Sequence, residues 1–427
     1  MQAIVMQRFV PRADVQVWTK DGRHYHEDLM GDAISLQTHR STDGSPGTFA
    51  LTLTARTFAD GSWSGRISAM DYVEIRAANA PLQPQIRMRG FVDNAMQSFS
   101  IGPSGGPTRS VTINGRDFTK VLQINQIRYL WQNDPMAAVA RNWGLTMVYG
   151  IPVSTTTPQA FASAIMTRIM DPFLAGLREA TDLPIPGIAL SVTIPDRFAT
   201  PVAIVEPYAG AFWGLFTYFA SAPLGEAFVY DSPESPVLVF RVAPFKDASG
   251  NIAAPAVAPI LPEVTASFAT APGQDLGRSD NEVKNWFFTY ADTASMFSYP
   301  QYAYVSKGNP AVNQTSMGIY GFRSMEVSTP WLTPFLDSPG SKTAGVPQEQ
   351  AIELSAYLLA TQGHNELLAS GSLQVHGSHD LIPGRYIRIP EEDMTFYLQT
   401  VDETFDFLGQ SSPHWRATLG LVRGQSS

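Results

Sequence analysis

Five small groups of residues have the types and spacing that chemistry would need. Ser104 lies in "GPSGG", residues 102–106, which matches the G-x-S-x-G spacing that exposes a nucleophilic serine on a sharp strand-to-helix turn. The residues that follow, "PTRSVTING", read as a strand, so the required helix is missing and Ser104 is expected in a hairpin loop. His24, His26, Glu27 and Asp28 form the densest cluster of potential metal ligands, and alternate residues of a strand share one face. A site would need further ligands with a supporting shell, and none is identifiable, so a solvated hairpin face is expected. "HGSHD", His376 to Asp380, reads as a turn between strands. Glu391, Glu392 and Asp393, or Asp402, Glu403 and Asp406, could in principle supply a general acid and base. The first trio reads as a solvated loop; the second alternates with apolar residues, as in a half-buried strand. No phosphate loop or dinucleotide fingerprint is present. The expectation is therefore no catalytic residue, no cofactor and no metal.

Composition points toward assembly. The chain has 427 residues and 44% hydrophobic content, enough for a large core and roughly two to four domains. Charged residues are only 16%, against about 25% in an ordinary soluble domain, which fits a surface partly covered by other protein. The formal net charge of -9 argues against nucleic-acid binding, because duplex binding relies on Lys and Arg contacts to phosphate. There is no cysteine, which excludes disulfides and thiolate chemistry. The start, "MQAIVMQRFVPR", shows no secretory signal, so synthesis and assembly in the cytoplasm are expected. "YAGAFWGLFTYFASAPL", Tyr208 to Leu224, carries no charge but is shorter than the roughly 20 apolar residues of a membrane span and holds Gly210 and Gly214. A buried helix is expected there, and no membrane span.

These features must be positioned by a mainly β chain with added helix, an α+β fold. "VQVWTKDGRHYHEDL" alternates on both sides of Asp21-Gly22, a pair suited to a tight turn. "GTFALTLTART", "DYVEIRA", "IRMRGFVDNAMQSFS" and "TRSVTINGR" follow at short spacing, as in a small barrel or sandwich. After Asp117 the spacing of Val121, Ile124, Ile127, Leu130 and Trp131 predicts helix, with Asp134-Pro135 starting another. "FASAIMTRIMDPFLAGLREATDL" reads as helix broken or kinked at Pro172, and "AFVYDSPESPVLVFRVAPF" as two strands around a turn. Residues 246–277 read as irregular, Pro347 to about Thr361 as a helix ended by Gly363, and the last sixty residues as strands. The expected division is 1–118 as a first tube-like barrel, 119–279 as a mixed middle, 280–300 with 365–427 as a second barrel, and 301–364 as an inserted region.

One unit is written twice. "FALTLTA", "DYVEIRA", "GFVDNAMQSFS" and "RSVTINGR" correspond in order to "SLQVHG", "RYIRIPE", "FYLQTVDETFDF" and "RATLGLVRG", with Gly115 and Gly424 closing the two copies. The strands Tyr72, Val73, Glu74, Ile75 and Tyr386, Ile387, Arg388, Ile389 are the expected equivalents and candidate assembly strands. On this reading the two copies form separate barrels, and if the two segments lie in one continuous sheet the duplication idea fails.

The order "GTFALTLTA", Trp63, "MDYVEIRA", "RGFVDNAMQSFS", "VTINGRDFTKVL" resembles the first tube-like barrel of phage baseplate hub proteins, a family that includes Mu-like hubs and the hub portion of type VI secretion spike proteins. "AFWGLFTYFASAPLGEAFVYDSPESPVLVFR" and "NEVKNWFF" resemble later segments of that family. The resemblance implies a homotrimer in which two tube-like antiparallel barrels per chain make a ring of pseudo-sixfold symmetry. That ring would adapt a sixfold tail tube or distal tail protein to a threefold spike or needle, at the baseplate of the virion, with DNA passing through the lumen unbound. Because the chain stops at "VRGQSS", the spike is expected to be a separate chain. Two other readings stay open: a cell-wall hydrolase using the carboxylates above, and a tail-tip glycan binder using aromatics such as Trp331 or Tyr299.

Overall fold

The structure, a computed structural model, describes residues 11–59, 61–79, 82–101, 107–127, 147–148, 151–152, 158–195, 210–253, 261–265, 273–291, 304–332, 346–407 and 414–426. Ser104, Tyr299 and the expected helix at Asp134 lie outside these residues.

Alternation of apolar and polar residues sets the first strands. They are β1 (Pro11–Trp18), β2 (His24–Tyr25), β3 (Ala33–Ser41), β4 (Thr48–Thr54), β5 (Tyr72–Asn79), β6 (Gln85–Ile101) and β7 (Pro107–Asp117). The expected hairpin at Asp21-Gly22 forms: Val17 faces Tyr25, Trp18 faces His24, and Gly22 takes the left-handed backbone that its lack of Cβ allows. The short helix α1 (Thr119–Ile124) follows. Helices α2 (Pro158–Ile165) and α3 (Asp171–Thr181) are joined by a π-helical turn at Met166–Met170. Pro172 sits in the first turn of α3, where it cannot donate, so its effect is a widened turn and not a break.

The middle then runs through β8 (Ala189–Thr193), the helix α4 (Phe212–Ala220), β9 (Gly225–Asp231) and β10 (Pro236–Val242). Helix α4 is the expected buried apolar helix: Phe212, Trp213, Leu215, Phe216 and Phe219 enter the largest core cluster, and no helix among the described residues is long and apolar enough to cross a membrane. Residues 246–277, expected to be irregular, contain β11 (Leu261–Thr265) and β12 (Gly273–Gly277). Next come β13 (Trp286–Ala291), β14 (Ala311–Val312), β15 (Ser324–Thr329) and the helix α5 (Val346–Gln362), whose end is capped by the Gly363 amide donating to Leu359. The chain closes with β16 (Ala369–His376), β17 (Arg385–Ile389), β18 (Met394–Asp406) and β19 (His414–Ser426).

Thirteen strands form one sheet, in the order β12-β16-β19-β18-β3-β4-β7-β6-β5-β1-β2, with β17 on β18 and β11 on β17. Two corrections follow. Strand β13, expected in the second barrel, pairs with β14 and β15 in a separate sheet; β11 and β12 take its place beside the C-terminal strands. Among the described residues the large sheet is also open at both ends, so its strands do not form two closed barrels.

The repeat is present in the hydrogen-bond register. In the N-terminal unit the order is β3-β4-β7-β6-β5, and in the C-terminal unit β12-β16-β19-β18-β17, antiparallel throughout. Matching pair to pair places residues 35–39 on 273–277, 48–54 on 370–376, 72–75 on 386–389, 90–100 on 396–406 and 108–117 on 414–423. Tyr72 faces Phe91 as Tyr386 faces Tyr397, and the bulges at Asp93 and Gln399 coincide. Met70 and Gly384 both have left-handed backbone and donate to equivalent carbonyls, Val92 at 2.9 Å and Leu398 at 2.8 Å. Gly115 and Gly424, expected to be equivalent, are not: Gly115 matches Leu421.

The two units nevertheless share one sheet, contrary to expectation, because β3 of the first pairs along β18 of the second. That continuity is the outcome set above as ending the idea of two separate copies; the internal order of each unit is intact, and the repeat rests on the register match alone.

Gly384 tests the left-handed corner. With φ +87, an added Cβ would also lie 2.6 Å from Arg241 Nη2 and 2.9 Å from the Phe228 ring. Gly384→Ala is expected to lower unfolding free energy by about 2 kcal/mol, from backbone strain and collision together; an unchanged denaturation midpoint would contradict this placement.

Candidate functional site: the seam between the two strand units

Strands β3 and β18 run antiparallel from Ser35 opposite Asp406 to Ser41 opposite Thr400. Along β18, Val401, Glu403 and Phe405 point to one side, and all three are buried. Phe405 stacks on Trp415 with ring centroids 5.0 Å apart, and both join the core of the N-terminal unit. The seam is thus a shared core with one carboxylate in it.

Glu403 accepts four hydrogen bonds there. Arg40 Nη2 and Arg87 Nη2 each donate at 2.8 Å, Trp415 Nε1 at 3.1 Å and Thr38 Oγ1 at 3.2 Å. Arg87 is the extra residue of a bulge between the pairs Ile75–Met88 and Arg76–Ile86, and such a bulge re-aims a side chain. Both guanidiniums also donate to the Leu381 carbonyl, and Arg87 to that of His379. Burial opposes ionisation of Glu403, yet the two arginines outweigh it and hold its pKa below the ordinary carboxylate value. Burial together with the neighbouring Arg87 lowers the Arg40 pKa to about 10, which leaves it charged at neutral pH.

At the solvent side of the seam His39 Nδ1 lies 2.6 Å from Asp402, directly across the two strands. That hydrogen bond raises the His39 pKa against a smaller opposing effect of burial.

The hairpin of β9 and β10 clamps both units. Asp231 accepts from the Arg89 amide and guanidinium at 3.0 and 3.3 Å, and Arg89 also donates to the carbonyls of Ser232 and Pro233. Burial raises the Asp231 pKa to about 6 despite Arg89. At the other end Glu226 accepts from Arg241 at 3.0 Å and from the Tyr397 hydroxyl at 2.6 Å, while Arg241 donates to the Gly384 carbonyl at 3.0 Å.

The expected assembly strands lie inside this framework. Tyr72, Val73, Glu74, Ile75, Tyr386, Ile387 and Ile389 are buried, with β5 between β1 and β6, and β17 between β18 and β11. The alternation of Tyr72, Glu74 and Arg76 with Val73 and Ile75 reads as a half-buried strand, but both faces of β5 are covered. Of the eight, Arg388 alone is exposed, 3.5 Å from Asp393. His24 stacks on Trp18 and His26 pairs with Asp14, and the described residues hold no group of three or more metal-ligating side chains. Trp331, offered as an exposed glycan platform, is buried and donates to the Phe219 carbonyl. Sequence reading passed over Arg40 and Arg87, and named Glu403 only as a possible general acid or base. The available signal was Glu403 sitting between Val401 and Phe405 on the inward face of one strand.

No family model and no curated protein matches the sequence. Among solved structures, the 43 kDa tail protein of prophage MuSo2 from Shewanella oneidensis superposes with a TM-score of 0.51 over 96% of this chain and 96% of that one, at 12% identity. The chain has the fold of a phage tail protein. The tail protein from Neisseria meningitidis MC58 gives 0.48 over 97% of each chain at 12% identity. Prophage tail protein gp18 from Listeria monocytogenes gives 0.49 over 95% and 94% at 10% identity. The resemblance first read in the sequence is thus met at the level of the whole chain's fold.

Two outcomes test the seam. Glu403→Gln leaves two buried guanidiniums without a counter-charge, and a loss of about 3–5 kcal/mol is expected in chemical denaturation; a loss below about 1 kcal/mol would show that the network is not what joins the units. The raised His39 pKa makes its contribution complete below the unfolded value near 6.5 and lost as pH rises through the folded value. Because His39 and Asp402 are partly solvated, that contribution is under about 1 kcal/mol. Wild type should therefore exceed His39→Gln in melting temperature at pH 5.5 and converge with it at pH 9; a pH-independent difference would refute the pairing.

Proposed function

We propose that the protein is a structural component of a phage tail tip, a hub in which three chains present six similar strand units as a ring. The carrying observation is the register match: one chain holds two five-strand units with the same order, the same bulge and the same left-handed corner. The whole-chain fold likeness to a prophage tail protein supports the setting. Each unit would serve as one tube-like domain, and closure would come from neighbouring chains, since the described strands within one chain leave the sheet open. A ring of three chains and six units can meet a sixfold tail tube on one side and a threefold spike on the other. The buried strands Tyr72–Ile75 and Tyr386–Ile389 would act in assembly from within, by holding each unit's sheet in register. The acidic balance suits a lumen through which DNA slides without specific binding. The role is non-enzymatic: in the seam the carboxylate with the most specific surroundings, Glu403, is consumed by two arginines.

Mass measurement in solution decides this. The expected particle is three times the 46.6 kDa chain mass. A single-chain or six-chain particle would overturn the reading.

A further inference from the structure

The register match carries an inference beyond a trimer, and it rests on the reading just given: it identifies which strand edges join one chain to the next. Within the chain, β3 covers β18. By the match, β12 is the second unit's β3, and β6 is the first unit's β18. Among the described residues, both of these equivalents have a bare edge. Among the described residues strand β12 ends the sheet, pairing with β16 alone, and four of its five residues are exposed. Strand β6 pairs with β5 only from Gln85 to Phe91; beyond that, one edge has no neighbour among the described residues.

The covered and uncovered copies differ in what they show to water. Phe405, under β3, is 2% exposed, whereas its equivalent Phe99 is 60% exposed; Met96, on the opposite face of β6, is 61% exposed. Between Asn94 and Thr108 the sequence carries no charge, so the devices that usually protect a bare edge, Lys or an inward charge, are missing.

We infer that β12 of one copy adds to the distal edge of β6 in a second copy of this chain, repeating between chains the seam that β3 and β18 make within one. Transferring the register gives the pairs: Gly273 opposite Ser100, Gln274 opposite Phe99, Asp275 opposite Ser98, Leu276 opposite Gln97 and Gly277 opposite Met96 of the neighbouring copy. Phe99 would then be covered as Phe405 is. Arg278 occupies the place of Arg40, and Gln97 that of Glu403, so the seam between chains keeps a guanidinium and an amide acceptor while dropping the buried ion pair. The contact is head-to-tail, and alternation of inner and outer seams of one geometry is what lets such a contact close into a ring.

The absence of cysteine makes a direct test clean. Directly opposed residues of antiparallel strands have Cα atoms about 4.5–5.5 Å apart, within disulfide reach. The double variant Ser98→Cys with Asp275→Cys should oxidise to covalent dimers and closed trimers in denaturing gels. The control Gln97→Cys with Asp275→Cys, one residue out of register, should not. Phe99→Glu should give a particle of single-chain mass with an unchanged melting temperature. A three-chain particle in which the Ser98 and Asp275 variants fail to link, or which survives Phe99→Glu, overturns this seam and leaves the trimer standing. A linked ladder running past three chains supports the seam and overturns the trimer. A single-chain wild-type particle overturns both.

Discussion

Glu403, held between Arg40 and Arg87, is the constraint on which the arrangement of this chain depends. A carboxylate with two guanidiniums in a shared apolar core is tolerated only while every partner is in place. Arg40 comes from β3, Arg87 from β6 and Glu403 from β18, so the charge set is complete only when the N-terminal unit and the C-terminal unit meet in one register. A slip of one residue along β3 and β18 would turn Glu403 away from both arginines and place Asp402 at the core. The network therefore selects a single alignment more sharply than apolar packing alone would.

The β9 and β10 hairpin applies the same logic from outside. One of its ends is fixed to the N-terminal unit through Asp231 and Arg89, and the other to the C-terminal unit through Glu226, Arg241 and Tyr397. Behind it, helix α4 and its phenylalanines fill the main core, into which Tyr72 and Phe91 of the N-terminal unit also pack. Two strand units and a mixed middle are thus tied at three places by buried charge, and little of the tie is visible as hydrophobic pattern.

That division explains what could be read from the sequence. Period-two alternation exposed the strands of both units, and Asp21-Gly22 located its hairpin, because these signals are local. The echo of "MDYVEIRA" in "GRYIRIPE" proved to be a true register match, Met70 on Gly384 and Tyr72 on Tyr386. Glycine at the ends misled, since Gly115 and Gly424 each make room for a phenylalanine ring, Phe49 and Phe396, for unrelated reasons. Strands β11 and β12 were missed because Ala, Pro and Gly there give no alternation, and their pairing is supplied by β17 and β16. The two arginines that pair with Glu403 lie more than 300 positions away in sequence, beyond any local pattern.

Met70 and Gly384 hold the same left-handed corner and donate the same backbone hydrogen bond, yet one is a long apolar side chain and the other has none. What the two halves of this chain have kept in common is carried by amide and carbonyl positions, where residue identity leaves almost no trace. A search that compares side chains will pass over such kinship; one that compares ledgers of backbone pairing, bulge by bulge, would find it.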